Sequence, residues 1–412
     1  MTGIFKRKVK SLLFKQKNFW QHFPSNYIFK RKHSLVILDD IYPLPLSAFR
    51  FVEFNYYLSA YPTAAVYTTG SSFQYLKVFD TVDNVLANHV KGYPEHSVRV
   101  FEFSEYRKIN ADLIYLTFLH NTHHFLPTIE ANSIPFVFTL YPGGGFMMNN
   151  KEVENQLRNI FSSPFFRKVI VTQKITLDYL VENNFCSPAA IELIYGVVMP
   201  NDNFSLGKTK KHRANRENKN LNICFVANKY MPLGIDKGYD TFIALAKKIS
   251  LNYSDIHFHV VGTFDENDID VTGYNNITFY GPRETSFFAQ FYSEMDIIVS
   301  PNVPFKLADG AFDGFPTGGC IEAGIMGVAL FCSDSLGQNL YFEHKKDIVI
   351  IENEVNNIYD HVEYYYHNPD QLEQLAEEGL NKIESLYSTE AQMAPRIEII
   401  NQAMKSSRNK VD

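Results

Sequence analysis

The densest set of residues capable of chemistry in this 412-residue chain is Phe312 to Asn339, FDGFPTGGCIEAGIMGVALFCSDSLGQN. Asp313 and Glu322 are carboxylates that can take strong, charge-assisted hydrogen bonds from sugar or ribose hydroxyls. Between them Gly314, Phe315, Pro316, Thr317, Gly318 and Gly319 form a turn whose glycines let backbone approach a ligand closely. The small residues that follow predict a helix starting near Thr317, with free N–H groups and a positive dipole end suited to an anion such as a diphosphate. An apolar strand ending at Cys332-Ser333-Asp334 closes the set.

Other candidates lie in the first half. His120, His123 and His124 in LHNTHHF follow a predicted strand. They offer an acceptor-facing base, a metal pair without a supporting carboxylate or Cys, or an ordinary polar loop. Gly143-Gly144-Gly145, in FTLYPGGGF between a strand and a helix, either admits a sugar or phosphate against the backbone or makes a plain tight turn. Asp39-Asp40 and Asp268-Ile269-Asp270 echo an Asp-x-Asp metal motif without its surroundings. They read as solvated loops, and no metal is assigned.

The elements that must position these residues are short apolar runs alternating with amphipathic segments, the rhythm of βαβ units around a parallel sheet. Strands are predicted at Leu35–Leu38, Ala65–Tyr67, Arg99–Phe103, Leu113–Phe118, Phe136–Leu140, Val169–Thr172 and Ile191–Ile194. After the polar stretch Ser205–Asn220 they resume at Asn222–Val226, His257–Val261, Ile277–Phe279, Ile297–Ser300, Ala329–Phe331 and Ile348–Ile351. Helices are predicted at Lys151–Phe161, Ile175–Asn183, Asp370–Leu386 and Thr389–Lys405. The expected fold class is therefore α/β, with two Rossmann-like doubly wound parallel-sheet domains facing a central cleft, where strand carboxyl ends place ligands. The expected organisation is a leader at 1–32, a first domain at 33–204, a linker at 205–220, a second domain at 221–388, and a final helix at 389–412 that crosses back.

Composition agrees with two globular domains of roughly 200 residues. Hydrophobic residues are 45% and charged residues 20%, which excludes a disordered or collagen-like chain. The 35 Phe and 25 Tyr chiefly imply cores. Cys186, Cys224, Cys320 and Cys332 show no paired short spacing, so neither a zinc site nor a disulfide framework is suggested, and a reducing cytoplasm is expected. No apolar run approaches the ~20 residues that cross a bilayer. Residues 1–32 hold nine Lys or Arg and no acid, interleaved with Ile4, Phe5, Phe14, Phe19 and Trp20. That mixture fits either a helix on an anionic membrane surface or a solvated basic tail. The remainder is acidic and lacks a basic stripe, which argues against nucleic acid.

The acidic stretch resembles the acid, Gly-Phe, glycine or proline, acid motif of family-4-like retaining GT-B glycosyltransferases. Here eight residues separate Asp313 from Glu322, one more than the family's usual spacing, and the first acid is Asp where Glu is usual. Ile223–Gly238, ICFVANKYMPLGIDKG, is similar to the family's first donor-domain strand and loop, whose Arg and Lys-Gly reach the donor diphosphate. Lys237-Gly238 matches, and Lys229 stands nearest the Arg. His259–Gly262, Thr278–Arg283 (with Gly281 and Arg283 passing the nucleobase) and Met295–Pro301 follow in the family's order. Tyr141 stands where many relatives carry a His near the donor sugar, and Tyr195-Gly196-Val197 resembles the family's domain-closing turn.

The resemblance implies that Lys237, Lys229 and the Thr317–Gly319 amides hold the diphosphate, Glu322 the ribose and Asp313 the sugar. It implies transfer from a nucleotide sugar to a saccharide or lipid-linked acceptor, with no cofactor beyond that co-substrate and no metal. Tyr141, Gly143–Gly145, His120 and His123 are the expected acceptor or sugar contacts. The rival readings are a non-catalytic sugar-nucleotide-binding subunit and an epimerase or phosphorylase-like enzyme of the same fold.

Overall fold

A computed structural model describes residues 32–44, 48–73, 78, 80–105, 108–199 and 220–408. The leader expected at 1–32 lies outside these residues except for Lys32, whose ammonium is 2.5 Å from Asp112. The linker expected at 205–220 also lies outside them, except for Asn220.

Two parallel sheets organise the described chain. The first holds β1 (His33–Asp39), β2 (Ala65–Thr68), β3 (Val100–Glu102), β4 (Ala111–Thr117), β5 (Phe136–Leu140), β6 (Phe166–Val171) and β7 (Ile191–Leu193), ordered β3-β2-β1-β4-β5-β6-β7. The second holds β8 (Leu221–Val226), β9 (Ile256–Val261), β10 (Ile277–Gly281), β11 (Ile297–Ser300), β12 (Ala329–Ser333) and β13 (Val349–Ile351), ordered β10-β9-β8-β11-β12-β13. Every pairing within them is parallel, with register such as Ile114↔Phe136 and Ile297↔Ala329. In each sheet the strand order reverses beside the first strand, between β1 and β4 and between β8 and β11. A ligand crevice opens at such a switch point, outside the strand carboxyl ends.

Local chemistry explains the elements. All five residues of β5, Phe-Val-Phe-Thr-Leu, are buried, as a parallel strand covered on both faces requires, and each such apolar side chain contributes about 1.5–3 kcal/mol through burial. Helices α1 (Ala48–Ala60), α2 (Val82–Gly92), α3 (Leu119–Asn132), α4 (Lys151–Ser162) and α5 (Lys174–Glu182) belong to the first sheet. In α4 the Asn150 side chain accepts from the N–H groups of Glu152 and Val153, which satisfies donors that the helix itself leaves free. Helices α6 (Tyr239–Ser250), α7 (Thr285–Ser293), α8 (Gly318–Ile325), α9 (Val355–His367) and α10 (Pro369–Tyr387) belong to the second.

The last helix, α11 (Thr389–Arg408), returns to the first sheet. Its Met393, Ile400 and Met404 join Leu35, Ile37, Tyr57 and Leu113 in one buried cluster. The second domain in turn reaches across through the loop after β11. Phe312 enters the first domain's core, 6.0 Å edge-on from Phe146, and the Met148 N–H donates to Gly310 O at 3.0 Å. Both sheets therefore direct their carboxyl ends toward loops that touch each other.

Candidate functional site

On the second domain, β8 leads through the turn Pro232–Lys237 to Gly238, which adopts φ +70°. A Cβ at Gly238 would lie 2.1 Å from the Pro301 carbonyl oxygen, so only glycine lets this loop press against the end of β11. The contact delivers Lys237 to the acidic loop. Its ammonium donates to both Asp313 oxygens, at 2.7 and 2.6 Å. Asn302 donates to the same carboxylate at 2.6 Å, and the Ser300 hydroxyl donates to Asn302 Oδ1 at 2.8 Å. Ser300 also lies 3.4 Å from the Thr317 hydroxyl, at the start of α8.

A continuous polar line thus runs from Lys237 to the N-terminus of α8. No acceptor among the described residues takes the N–H of Gly318 or Gly319. A pocket lined by Ser300, Asn302, Asp313, Thr317, Ser333 and Gln338 opens beside this line. One turn further, Glu322 is half-buried, and burial pushes its carboxyl up to about 7. Phe315 and Pro316, joined by a cis peptide bond, face inward and fix the loop. Gly314 lies against Gln173 and Pro142 of the first domain, and Gln173 donates to Phe315 O at 3.4 Å.

The structure leaves some expected donor contacts apart from this group. Lys229 is paired with Asp268 at 2.6 Å, so Asp268 is a partnered acid and not the solvated one its sequence context suggests. Arg283 is exposed, with its guanidinium 5.2 Å from the centre of the Phe287 ring. Gly281 ends β10 at φ +68° with open space on its side-chain face.

On the first domain the structure corrects three readings. Asp39-Asp40 is not a solvated loop, because the two residues are 0% and 4% exposed at the end of β1. Arg50 donates to both, at 3.0 and 2.7 Å, and Asn121 donates to Asp40 at 2.9 Å. Burying two acids is tolerable only with such partners. Tyr141, expected to contact a sugar, is instead buried with its hydroxyl engaged. It is 2% exposed, donating to Glu53 at 3.0 Å and accepting from Arg396 at 3.3 Å, and Arg396 and Glu53 are themselves wholly buried.

The third correction concerns the histidines, which lie in the first turns of α3 and not in a loop. His123 and His124 are exposed, and only His120 turns toward the switch point. Its Nδ1 lies 2.9 Å from Gly144 O and its Nε2 3.1 Å from Asp40 Oδ2. A general base needs a free lone pair, and both ring nitrogens here face acceptors. Burial opposes charge on this ring, but the hydrogen bond to Asp40 and the carboxylate's charge hold its pKa above 6.5. Burial would raise Asp40, yet its bond to His120, the Arg50 charge and its bonds to Ser72 and Asn121 hold it far below the usual carboxylate range.

Residues 242–397 match the family model described as Glycosyl transferase-like. The chain has the GT-B fold, and its second half is similar to glycosyl transferases. Among solved structures, the chain resembles HepE of Anabaena in complex with UDP and glucose, at TM-score 0.60 and 14% identity over 92% of this chain and 100% of that one. It also resembles sucrose-phosphate synthase from Thermosynechococcus elongatus, at TM-score 0.63 and 14% identity over 91% and 100%. A glycosyltransferase from Rickettsia africae gives TM-score 0.60 and 14% identity over 90% and 99%. No curated protein matches it in sequence.

Sequence reasoning missed several groups that the fold gathers at its crevice: Asn302 on Asp313, Gln173 on the acidic loop, and Arg50 with Asn121 on the aspartate pair. The position of Asp39-Asp40 at the carboxyl end of the first strand was the available signal, since that is where a doubly wound sheet places ligands.

Proposed function

We propose that this protein is a glycosyltransferase that moves a sugar from a nucleoside-diphosphate donor, a uridine diphosphate sugar, to a saccharide or lipid-linked acceptor, with retention and without a divalent ion. The observation that carries the reading is the Lys237–Asp313 pair, joined through Asn302, Ser300 and Thr317 to the free amides of α8. An ammonium and preorganised N–H groups beside one pocket can stabilise the charge that develops on a departing diphosphate. Asp313, relieved of its lysine as the diphosphate arrives, then accepts from sugar hydroxyls, and Glu322 accepts from the ribose. The HepE structure, which holds UDP and glucose, supports the choice of donor. The acceptor enters from the side of β4 and β5, and closing of the loops after β5 and β11 excludes water that would hydrolyse the donor.

The basic, aromatic segment 1–32 supports work at an anionic membrane surface on a precursor of a surface glycan, on the cytoplasmic side. Among the described residues no helix is long and apolar enough to cross a membrane.

A thermal-shift screen of UDP, GDP, dTDP, CMP and ADP tests the donor, because a ligand raises stability with the logarithm of its saturation. Turnover of the winning nucleotide's sugars, with saccharides and lipid extracts as acceptors, tests the reaction. Binding without transfer to any acceptor would overturn it in favour of a sugar-nucleotide-binding subunit. Deleting residues 1–32 should lower binding to anionic vesicles and leave donor hydrolysis intact.

A further inference from the structure

The Gly143-Gly144-Gly145 turn lies along the domain crevice. Pro142, just before it, sits beside Gly314 of the acidic loop, and Met148, just after it, is hydrogen-bonded to Gly310. All three glycines have positive φ, +76°, +53° and +86°. The Gly144 carbonyl takes two bonds from His120, one from its backbone N–H at 3.1 Å and one from ring Nδ1 at 2.9 Å. A Cβ on Gly144 would meet the Phe118 ring at 2.2 Å, so that ring packs directly against the turn.

A peptide's C=O and the following N–H point in opposite directions in one plane. Drawing the Gly144 carbonyl toward His120 therefore turns the Gly145 N–H the other way. No acceptor among the described residues takes that N–H. The other ring nitrogen of His120 faces Asp40, whose remaining oxygen positions accept from Arg50, Asn121 and Ser72. Since a carbonyl and an ionised carboxylate both only accept, each ring nitrogen must carry a proton for both bonds to form.

We propose that His120 is a doubly protonated positioning residue that ties the Gly144 carbonyl to Asp40 and thereby presents the Gly145 N–H to an oxygen of the sugar acceptor. This rests on the acceptor reading given above. When the ring loses one proton, a nitrogen lone pair faces either the carbonyl or the carboxylate, the clasp loosens, and acceptor use falls. The charged groups facing the ring are Asp40, with Asp39 behind it, at the end of β1, and Arg50 from α1. His123 and His124 share its helix but are exposed. Asp40 favours the charge on the ring, and Arg50 opposes it.

Nitrogen-15 histidine NMR of the intact chain, with H120N to assign the signal, reads the ring directly. His120 should titrate above 6.5 and show both nitrogens protonated below that point. Transfer to acceptor should fall as pH rises through the titration, while donor hydrolysis follows no such limb. H120N should lose about 10- to 100-fold in kcat/KM for acceptor, the worth of a hydrogen bond to a charged group, and with it the alkaline limb. D40N should move both the NMR titration and the limb to lower pH. A ring titrating at or below 6.5, or H120N retaining the wild-type limb, overturns the proposal. Wild-type protein that neither hydrolyses nor transfers any nucleotide sugar overturns the functional reading instead, and the NMR titration still decides the charge of the ring.

Discussion

Lys237 holds its ammonium within 2.7 Å of both carboxylate oxygens of Asp313, so each of these two groups occupies the place that a ligand would take on the other. On the donor reading proposed above, a diphosphate draws Lys237 away as it binds, and that competition gives the two residues opposite signatures.

Removing the ammonium in Lys237→Met should abolish the UDP-induced rise in melting temperature and lower turnover by about 100-fold or more, the usual cost of losing a preorganised charge on a leaving group. Asp313→Asn should instead tighten UDP binding in calorimetry while transfer falls. Equal losses of UDP affinity in both variants would contradict the competition.

Glu322 gives a pH signature. Its folded-state pKa is raised by burial to about 7 from 4.5. The associated stability is therefore full below 4.5 and is lost as pH rises through about 7. Glu322→Gln should flatten that part of the denaturation profile. Donor affinity in the wild type should rise across the same window, as the carboxylate becomes able to accept from the ribose.

The wholly buried Arg396–Glu53 pair, 3.6 Å apart with Tyr141 bonded to both, should behave as a unit. Arg396→Met leaves an uncompensated buried carboxylate and should cost about 3–5 kcal/mol in urea denaturation. Pairing it with Glu53→Gln should recover part of that loss, and simple addition of the two single effects would argue against coupling.

Gly238→Ala should damage the donor site through the backbone. Its Cβ would sit 2.1 Å from Pro301 O at φ +70°, a strain on the order of 1–3 kcal/mol. Weaker UDP binding at near-normal secondary structure, read by circular dichroism, is the expected result.

The sheets were legible in the chain because parallel strands buried on both faces appear as unbroken apolar runs. Phe136–Leu140 and Ile297–Ser300 fall where their residues predict, and the acidic loop begins its helix at Gly318 after Thr317. Pairings between distant residues were not legible. Asp39 and Asp40 looked solvated because the groups that neutralise them, Arg50 and His120, are supplied by α1 and α3. LHNTHHF looked like a loop, since Pro127 interrupts the pattern of its helix and His120 finds its partners across the turn after β5. Tyr141 looked available to a sugar until Arg396, 255 residues away, occupied its hydroxyl.

The return of α11 to the first sheet bears on how the polypeptide matures. The layer containing Leu35 and Ile37 is completed by Met393, Ile400 and Met404, so the earlier half remains an unfinished core until α11 has emerged. The second half, whose strands and packing helices lie between Leu221 and Tyr387, has no such wait and can consolidate on its own. Folding should thus run against the order of synthesis, with the later half serving as the settled body onto which the earlier one closes.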